Sequence, residues 1–186
     1  MLTRKIPISI LILGFFLFSC GSSSAEIRVF FSPKGGIVEE IVKQIDNAQD
    51  YIDIAMYSFT YEPMAEAMIR AKNRGVRIRI LMDKGQSQGK YSKYKFFLDN
   101  GLAVIQDRHA GIMHNKIAII DGTVLFTGSY NWSKSAEETN EENLLEFIDE
   151  STENEENSFK SLYEKEIIKI YQERLDYLWD LNEPLE

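Results

Sequence analysis

Strand-length apolar runs alternate with segments of helical periodicity along most of this chain. Residues 27–31 form a short apolar run, and apolar residues then recur at helical spacing over residues 37–48. Residues 51–57 alternate as a strand, a helical pattern ends at Gly75, and residues 76–82 alternate again. Repeated strand and helix units of this kind cover a sheet with helices. The pattern therefore predicts an α/β fold.

The middle of the chain predicts one amphipathic helix over residues 86–100. This helix carries three lysines, Lys90, Lys93 and Lys95. They are candidates for a basic rim, although a solvated helix face is the simpler interpretation of such a run. A short strand is predicted beyond the helix, over residues 102–105.

Residues 113–120 predict a strand that brings two functional side chains together. Because successive side chains of a strand point to opposite sides, His114 and Lys116 share one face. Asp121-Gly122 is a strong hairpin signal, and residues 124–127 are the expected returning strand.

The C-terminal part predicts a last strand over residues 143–148 and a long terminal helix. We expect the apolar side of that helix to pack on the body of the protein, and a partner-binding helix is the less favoured interpretation. That side consists of Phe159, Leu162, Tyr163, Ile167, Ile170, Tyr171 and Leu178.

The charge is divided unevenly along the chain. A formal net charge of -8 would argue against a nucleic-acid partner, because phosphate binding relies on Lys and Arg. However, residues 26–136 carry 15 Lys or Arg against 12 Asp or Glu, whereas residues 137–186 carry 4 against 17. A neutral to basic body can still bind a phosphodiester, while the acidic end faces solvent.

The N-terminus has the features of an export signal. Arg4 and Lys5 precede an apolar run over residues 6–19, which is too short to span a bilayer comfortably. Cys20 follows in Leu-Phe-Ser-Cys, which resembles a lipoprotein processing box, although its Phe is larger than usual. Cleavage after Ala25 and an uncleaved anchor are the competing interpretations. We therefore expect residues 1–25 to be a signal peptide and the protein to be exported, either periplasmic or anchored in the membrane through lipidated Cys20.

The remaining residues, 26–186, are enough for one domain with a core but short for two. Cys20 is the only cysteine, so no intramolecular disulfide can form. Stability must therefore come from packing.

One motif carries the candidate chemistry. His114, Lys116 and Asp121 fit H-x-K-x4-D, and Ser129 and Asn131 follow in G-S-x-N. Chance gives this combination less than about once in 10^5 chains of this composition. The segment therefore predicts a functional site.

With this motif the chain resembles the phospholipase D superfamily, in particular its single-motif, Nuc- and Zucchini-like endonuclease branch. The resemblance implies a mixed β-sheet flanked by helices, with one HKD motif per chain. It also assigns the family's downstream acidic position to Glu142, which would orient His114. Many larger members carry two copies of the motif, and this chain carries one.

The residue types support covalent catalysis without a metal or another cofactor. No metal-ligand spacing surrounds the motif, and neutral imidazole is a nucleophile near its reference pKa of about 6.5. We expect His114 to attack phosphorus, by analogy giving a phosphohistidine. Lys116 and Asn131 would stabilise the anionic transition state, and Ser129 would donate a further bond to phosphate. Asp121, which ends its strand, is more consistent with a structural or orienting role.

The leaving group needs a proton from a second acid, because one imidazole cannot act on both sides of phosphorus. His109 lacks a Lys two residues further on, so we assign it no role. A twofold homodimer that brings two His114 side chains face to face is the simpler solution, and it matches the single-motif relatives. This scheme predicts a bell-shaped pH profile, resistance to EDTA and loss of turnover in His114→Ala.

Three functions follow from these residues. The leading hypothesis is a non-specific endonuclease on DNA or RNA, guided by charge and shape rather than by base edges. The second is a phospholipase D that cleaves phospholipid headgroups at the membrane, although no long apolar insertion is present to receive acyl chains. The third, an inactive nucleic-acid-binding domain, is disfavoured by the intact motif.

Overall fold

A computed structural model describes residues 26–149 and 159–183 of the chain. The predicted signal peptide lies outside these residues, and so do Cys20 and Ala25. Within the described ranges, no helix is long and apolar enough to cross a membrane.

Strands and helices alternate in the first half of the described chain, as predicted, and antiparallel strands dominate the second half. The strands are β1 (Glu26–Ser32), β2 (Tyr51–Met56), β3 (Arg77–Met82), β4 (Ala103–Gln106), β5 (Lys116–Ile120), β6 (Val124–Gly128) and β7 (Glu142–Ile148). The helices are α1 (Ile37–Asn47), α2 (Glu62–Arg74), α3 (Lys84–Ser87), α4 (Tyr94–Asp99), α5 (Lys134–Glu138) and α6 (Phe159–Asn182).

All seven strands form one sheet in the order β1-β7-β6-β5-β2-β3-β4. The pairs β2–β3 and β3–β4 are parallel, since α2 and the α3–α4 region connect them as crossovers. The pairs β2–β5, β5–β6, β6–β7 and β1–β7 are antiparallel. The mixed β-sheet flanked by helices is therefore confirmed.

Two apolar cores hold the helices on opposite faces of the sheet. Ile37, Ile41 and Ile45 recur along one side of α1 and are fully buried in the larger core, which also contains α2. On the other face, Leu175 and Leu178 of α6 pack in a smaller core with side chains of β2, β3, β5 and β6. The sheet is thus covered on both sides.

A buried carboxylate fastens α6 to the sheet. Asp53 on β2 accepts hydrogen bonds from Arg79 at 2.9 Å and from Gln172 of α6 at 3.0 Å. Burial alone would raise the pKa of Asp53, but the bonds from Arg79 and Gln172 and the charge of Arg77 outweigh it, so this pKa is lowered. Arg79 also forms an ion pair with Asp176 of α6, so the terminal helix is held by charge as well as by apolar contact.

The apolar side of α6 was predicted only in part. Leu178 is buried, and Ile167 and Tyr171 are half-buried against the smaller core, as expected. Ile170 is 55% exposed, so its predicted burial is wrong, and Ile168 is buried in its place. Ile170 lies about 200° around the helix from Ile168, on the side that faces away from the sheet. The side chains of Phe159, Leu162 and Tyr163 lie outside the described part.

The single helix predicted over residues 86–100 is wrong. The structure has two short helices, α3 and α4, separated by a loop. The Gly89 amide bonds back to the Gln86 carbonyl, and the Lys93 amide donates to the Phe59 carbonyl at 2.9 Å. A local turn and a bond to a neighbouring loop thus replace the continuous helical hydrogen bonds that the local pattern favoured.

The strand predicted over residues 113–120 begins three residues later, at Lys116. The Met113 amide donates to the side chain of Asp83 at 3.1 Å, and the carbonyl of Asn115 accepts from the Tyr57 amide at 2.9 Å. Residues 113–115 therefore bond to neighbouring loops, and His114 lies just before the strand rather than within it.

Candidate active site

Five of the six predicted site residues line one open cavity of about 560 Å³ at one end of the central strands of the sheet. The cavity lies where β5 begins, β6 ends and β7 begins, and antiparallel pairing brings these three points together. Its lining consists of His114, Lys116, Gly128, Ser129, Asn131, Glu142 and Asn143.

His114 is exposed at the mouth of this cavity. Its ring packs against Tyr57, with the ring centroids 4.4 Å apart and the planes inclined at 58°. Tyr57 follows β2 directly, and Met56 pairs with Lys116 across the sheet, so strand pairing sets this contact. The imidazole is therefore supported by an aromatic ring and remains open to a substrate.

Lys116 is buried, with 6% of its surface exposed, and it lies behind His114. Its Nζ donates to the His114 carbonyl at 2.8 Å and lies 4.9 Å from the centre of the Tyr57 ring. Burial lowers the pKa of Lys116, and the charge of Glu142 opposes this effect in part. A cation with little hydration attracts an anionic group more strongly than one in water.

Glu142 and Ser129 form a pair within the cavity. The Ser129 hydroxyl donates to Glu142 Oε2 at 2.6 Å and accepts from the Asn143 amide at 3.1 Å. Asn140 donates to the other oxygen of Glu142 at 3.0 Å.

One predicted contact is therefore not formed. Glu142 bonds to Ser129 and Asn140, and among the described residues the imidazole of His114 has no hydrogen-bonding partner. The bond from Ser129 to a phosphate stays a prediction, and in this arrangement the Ser129 hydroxyl donates to Glu142. The reason is geometric, because Ser129 follows β6 directly and β6 pairs with the start of β7.

A hydrogen bond to its side-chain oxygen orients Asn131. Asn131 Oδ1 accepts from the Ser58 amide at 3.3 Å, so its amide nitrogen is left as the donor at the cavity. Asn131 also lines a second, larger cavity beside the first.

Asp121 is not brought to the cavity. Its carboxylate accepts three bonds of 2.8 Å from the backbone amides of Gln49, Asp50 and Tyr51. Its φ of 53° and that of 66° at Gly122 make the tight turn between β5 and β6. The structure therefore gives Asp121 an architectural position and no contact with the other five residues.

Of the three lysines of the predicted basic rim, two are paired with acids, and the Nζ of Lys90 lies 5.3 Å from the centre of the Tyr91 ring. The Nζ of Lys93 pairs with Glu62, and Lys95 pairs with Asp99 one helical turn away. His109 is exposed in a loop, where its Nδ1 accepts from the Gly111 amide at 3.0 Å. Among residues 26–149 and 159–183, no group of three or more His, Cys, Asp or Glu is arranged to hold a metal ion.

Comparison with protein families gives one match that covers most of the chain. Residues 41–179 match the family model described as "Cardiolipin synthase, PLD-like domain". The chain is 32% identical to the "Mitochondrial cardiolipin hydrolase" of Chlamydomonas reinhardtii over 137 residues, which are 74% of this chain and 55% of that protein. It is 35% identical to the "Phospholipase D" of Rickettsia prowazekii over 123 residues, which are 66% of this chain and 60% of that protein. The chain thus spans less than two thirds of these relatives.

Two solved structures match over nearly their whole length. The phospholipase D family member Nuc from Salmonella typhimurium superposes with a TM-score of 0.73 at 25% identity, over 88% of this chain and 99% of that one. NucT from Helicobacter pylori gives a TM-score of 0.72 at 25% identity, over 87% of this chain and 100% of that one.

Proposed function

This chain belongs to the phospholipase D superfamily, and on that premise we propose that it is a phosphodiesterase in which His114 attacks phosphorus directly. The observation that carries the proposal is the cavity in which an exposed imidazole, a buried ammonium and an amide donor meet. These are a nucleophile and two groups that stabilise negative charge.

The reaction has two steps. In the first, a nitrogen of His114 forms a bond to phosphorus while the P–O bond to the leaving alcohol breaks, and an acid protonates that oxygen. In the second, water attacks the phosphohistidine, gives up a proton to a base, and releases the imidazole. Lys116 and Asn131 stabilise the extra negative charge on the non-bridging oxygens in both steps.

A second copy of the chain supplies the acid and the base. His109 points its Nδ1 at the Gly111 amide, and it does not line the cavity. His114, by contrast, is exposed at one end of the central strands, where the same residue of a twofold-related copy can approach it. One His114 is neutral and attacks, and its mate is protonated.

Nucleic acid is the proposed substrate, cleaved without sequence preference. The resemblance to the single-motif endonuclease branch supports this, and Nuc and NucT match the chain over nearly their whole length. The second candidate is a phospholipid headgroup, which the printed names of the Chlamydomonas and Rickettsia relatives favour. Export and acylation of Cys20 are part of the same proposal, and the mass of the mature protein purified from membranes tests them.

One parallel assay tests the function. The protein without residues 1–25 is incubated in EDTA with plasmid DNA, RNA, and vesicles of phosphatidylglycerol and cardiolipin. We expect cleavage of nucleic acid by wild type and by His109→Ala, and none by His114→Ala. Cleavage of lipid alone would replace the nuclease proposal with the second candidate, and loss of all activity in EDTA would contradict the mechanism.

A further inference from the structure

The mechanism leaves a large cleft beside the catalytic cavity without a role. This cleft has a volume of about 910 Å³, within the range of roughly 300 to 1,000 Å³ that is typical of small-molecule sites. Asn131 lines both cavities, and Tyr57, which lines the cleft, has its ring against His114. A substrate held at His114 therefore extends directly into the cleft.

The walls of the cleft are aromatic and hydroxylated. Tyr57, Tyr61 and Tyr91 contribute rings, and Tyr91 is 72% exposed at the rim. Most of the other lining side chains are hydroxyls and amides, among them Ser58 and Thr60. Among the described residues that line the cleft there is no Val, Leu, Ile, Met or Phe, so its walls do not suit an acyl chain.

The charges of the cleft are balanced. Glu62 pairs with Lys93, and Glu138 lies 3.7 Å from Lys134. The two acids are thus neutralised, so the cleft is not built to hold a cationic headgroup. The buried cation, Lys116, belongs to the neighbouring cavity, which is the proposed site of the phosphate. The cleft therefore suits the uncharged part of a substrate next to the phosphate.

We propose that this cleft is a nucleoside-binding site, which holds the nucleoside on one side of the scissile phosphate. A nucleobase stacks on tyrosine rings irrespective of its identity, and hydroxyl and amide side chains bind sugar and base edges. Tyr91 is the outer stacking platform, and Tyr57 places the bound nucleoside beside His114. This inference rests on the proposed phosphodiesterase function and names the part of the substrate that the site recognises.

Binding to an inactive background tests the inference apart from turnover. His114→Ala protein is titrated with a fluorescent single-stranded oligonucleotide and with an oligonucleotide of the same length whose sugars carry no bases. Adding Tyr91→Ala should weaken binding of the base-bearing oligonucleotide roughly tenfold and leave the abasic one unchanged. Tyr91→Phe should restore binding, because the ring is what stacks.

The matched control is Tyr177→Ala, which removes another exposed tyrosine, 55% exposed on α6 and outside the cleft. We expect no change of affinity in this control. Equal losses for both oligonucleotides in Tyr91→Ala, or no loss for either, would overturn the nucleoside site. If wild type cleaves no nucleic acid yet binding depends on bases and on Tyr91, the nuclease proposal fails and the binding site stands. Hydrolysis of phosphatidylglycerol that depends on Tyr91, with no base-dependent binding, would make the cleft a headgroup site and overturn the inference.

Discussion

The two ends of β5 carry the two halves of one sequence motif, and they do different things. At its start, Lys116 is buried beside the exposed His114 and lines the cavity. At its end, roughly 16 Å away along the strand, Asp121 makes three backbone bonds and lines no part of that cavity. A motif that looks like one catalytic unit in sequence is therefore a reactive end and an architectural end joined by a strand.

The charge at the start of β5 is available to a substrate, whereas the charge at its end stabilises the fold. The Lys116 ammonium keeps donors for a bound anion, whereas the Asp121 carboxylate uses both oxygens on the backbone of residues 49–51. Mutations at the two ends should thus change different quantities. Three substitutions at the ends of β5 test this, and a fourth extends the comparison to β7.

The largest effect is expected at the reactive end. His114→Ala removes the proposed nucleophile and should lower kcat by at least about 10^4-fold. Because His114 is exposed and contacts mainly Tyr57, the midpoint of thermal unfolding should hardly change. Steady-state cleavage of a labelled oligonucleotide and thermal unfolding measure the two quantities, with His109→Ala as the control. Retention of more than a hundredth of the activity would remove His114 from the chemistry.

Lys116→Met should have the next largest effect on kcat. This change keeps the length of the side chain and removes the charge that stabilises the transition state, so kcat should fall about 10^2- to 10^3-fold. Stability should be equal or greater, since a buried charge is replaced by an apolar group. A fall in stability with an unchanged kcat would mean that Lys116 serves the fold rather than the reaction. The two ends of β5 would then not differ in role.

Asp121→Ala should change the fold and spare the chemistry. Three backbone amides lose their acceptor, which should lower the free energy of unfolding by about 2 to 4 kcal/mol. Urea unfolding gives this value, and the kcat of the folded fraction should stay within about threefold of wild type. The opposite pattern, a large fall in kcat at unchanged stability, would return Asp121 to the catalytic group.

The smallest effect is expected on β7, a second strand that carries one acid in the cavity and one away from it. Glu142 starts β7 in the cavity, whereas Glu146 on the same strand is fully buried. Burial, and then the charge of Glu40, raise the pKa of Glu146 to about 7. The folded protein thus binds more protons than the unfolded chain between about pH 4.5 and 7, and stability falls as the pH rises through that window.

Glu146→Gln should flatten this dependence and raise the free energy of unfolding at pH 8 by about 1 to 2 kcal/mol. The pKa of Glu40 lies below its usual range, because hydrogen bonds from Lys43 and Gln44 outweigh the effect of burial. Glu40 therefore contributes to the pH dependence of stability only at lower pH. Urea unfolding at pH 5 and pH 8 measures the difference. An identical pH dependence of stability in wild type and Glu146→Gln would contradict the raised pKa of Glu146.

Local patterns predicted the order of the strands and of the longer helices because strands and helices have different apolar periods, whereas the short helix α5 was not predicted. The end of α2 at Gly75, with a φ of 97°, follows from a residue type that tolerates this conformation. The failures are nonlocal. The loop that replaces the helix over residues 86–100 is held by the Phe59 carbonyl, and residues 113–115 are held by neighbouring loops. No pattern within those segments reports such partners.

The sequence predicted the residues of the site more completely than the contacts between them. The spacing identified four of the five residues that meet at the cavity, and the family resemblance added Glu142, but neither could report that Ser129 lies against Glu142. Tyr57 was missed altogether, since it lies 57 residues before His114 in sequence and meets it only through the pairing of β2 with β5. The tyrosine cleft depends on the same pairing.

The covalent intermediate is the most direct test of the account. Wild-type protein is mixed with a labelled oligonucleotide in EDTA, quenched in alkali within the first turnover, digested and weighed by mass spectrometry. The account predicts a phosphodiester-derived adduct on the peptide that contains His114, and none in His114→Ala. Rapid cleavage in EDTA with an unmodified His114 peptide at every time of quenching would contradict it.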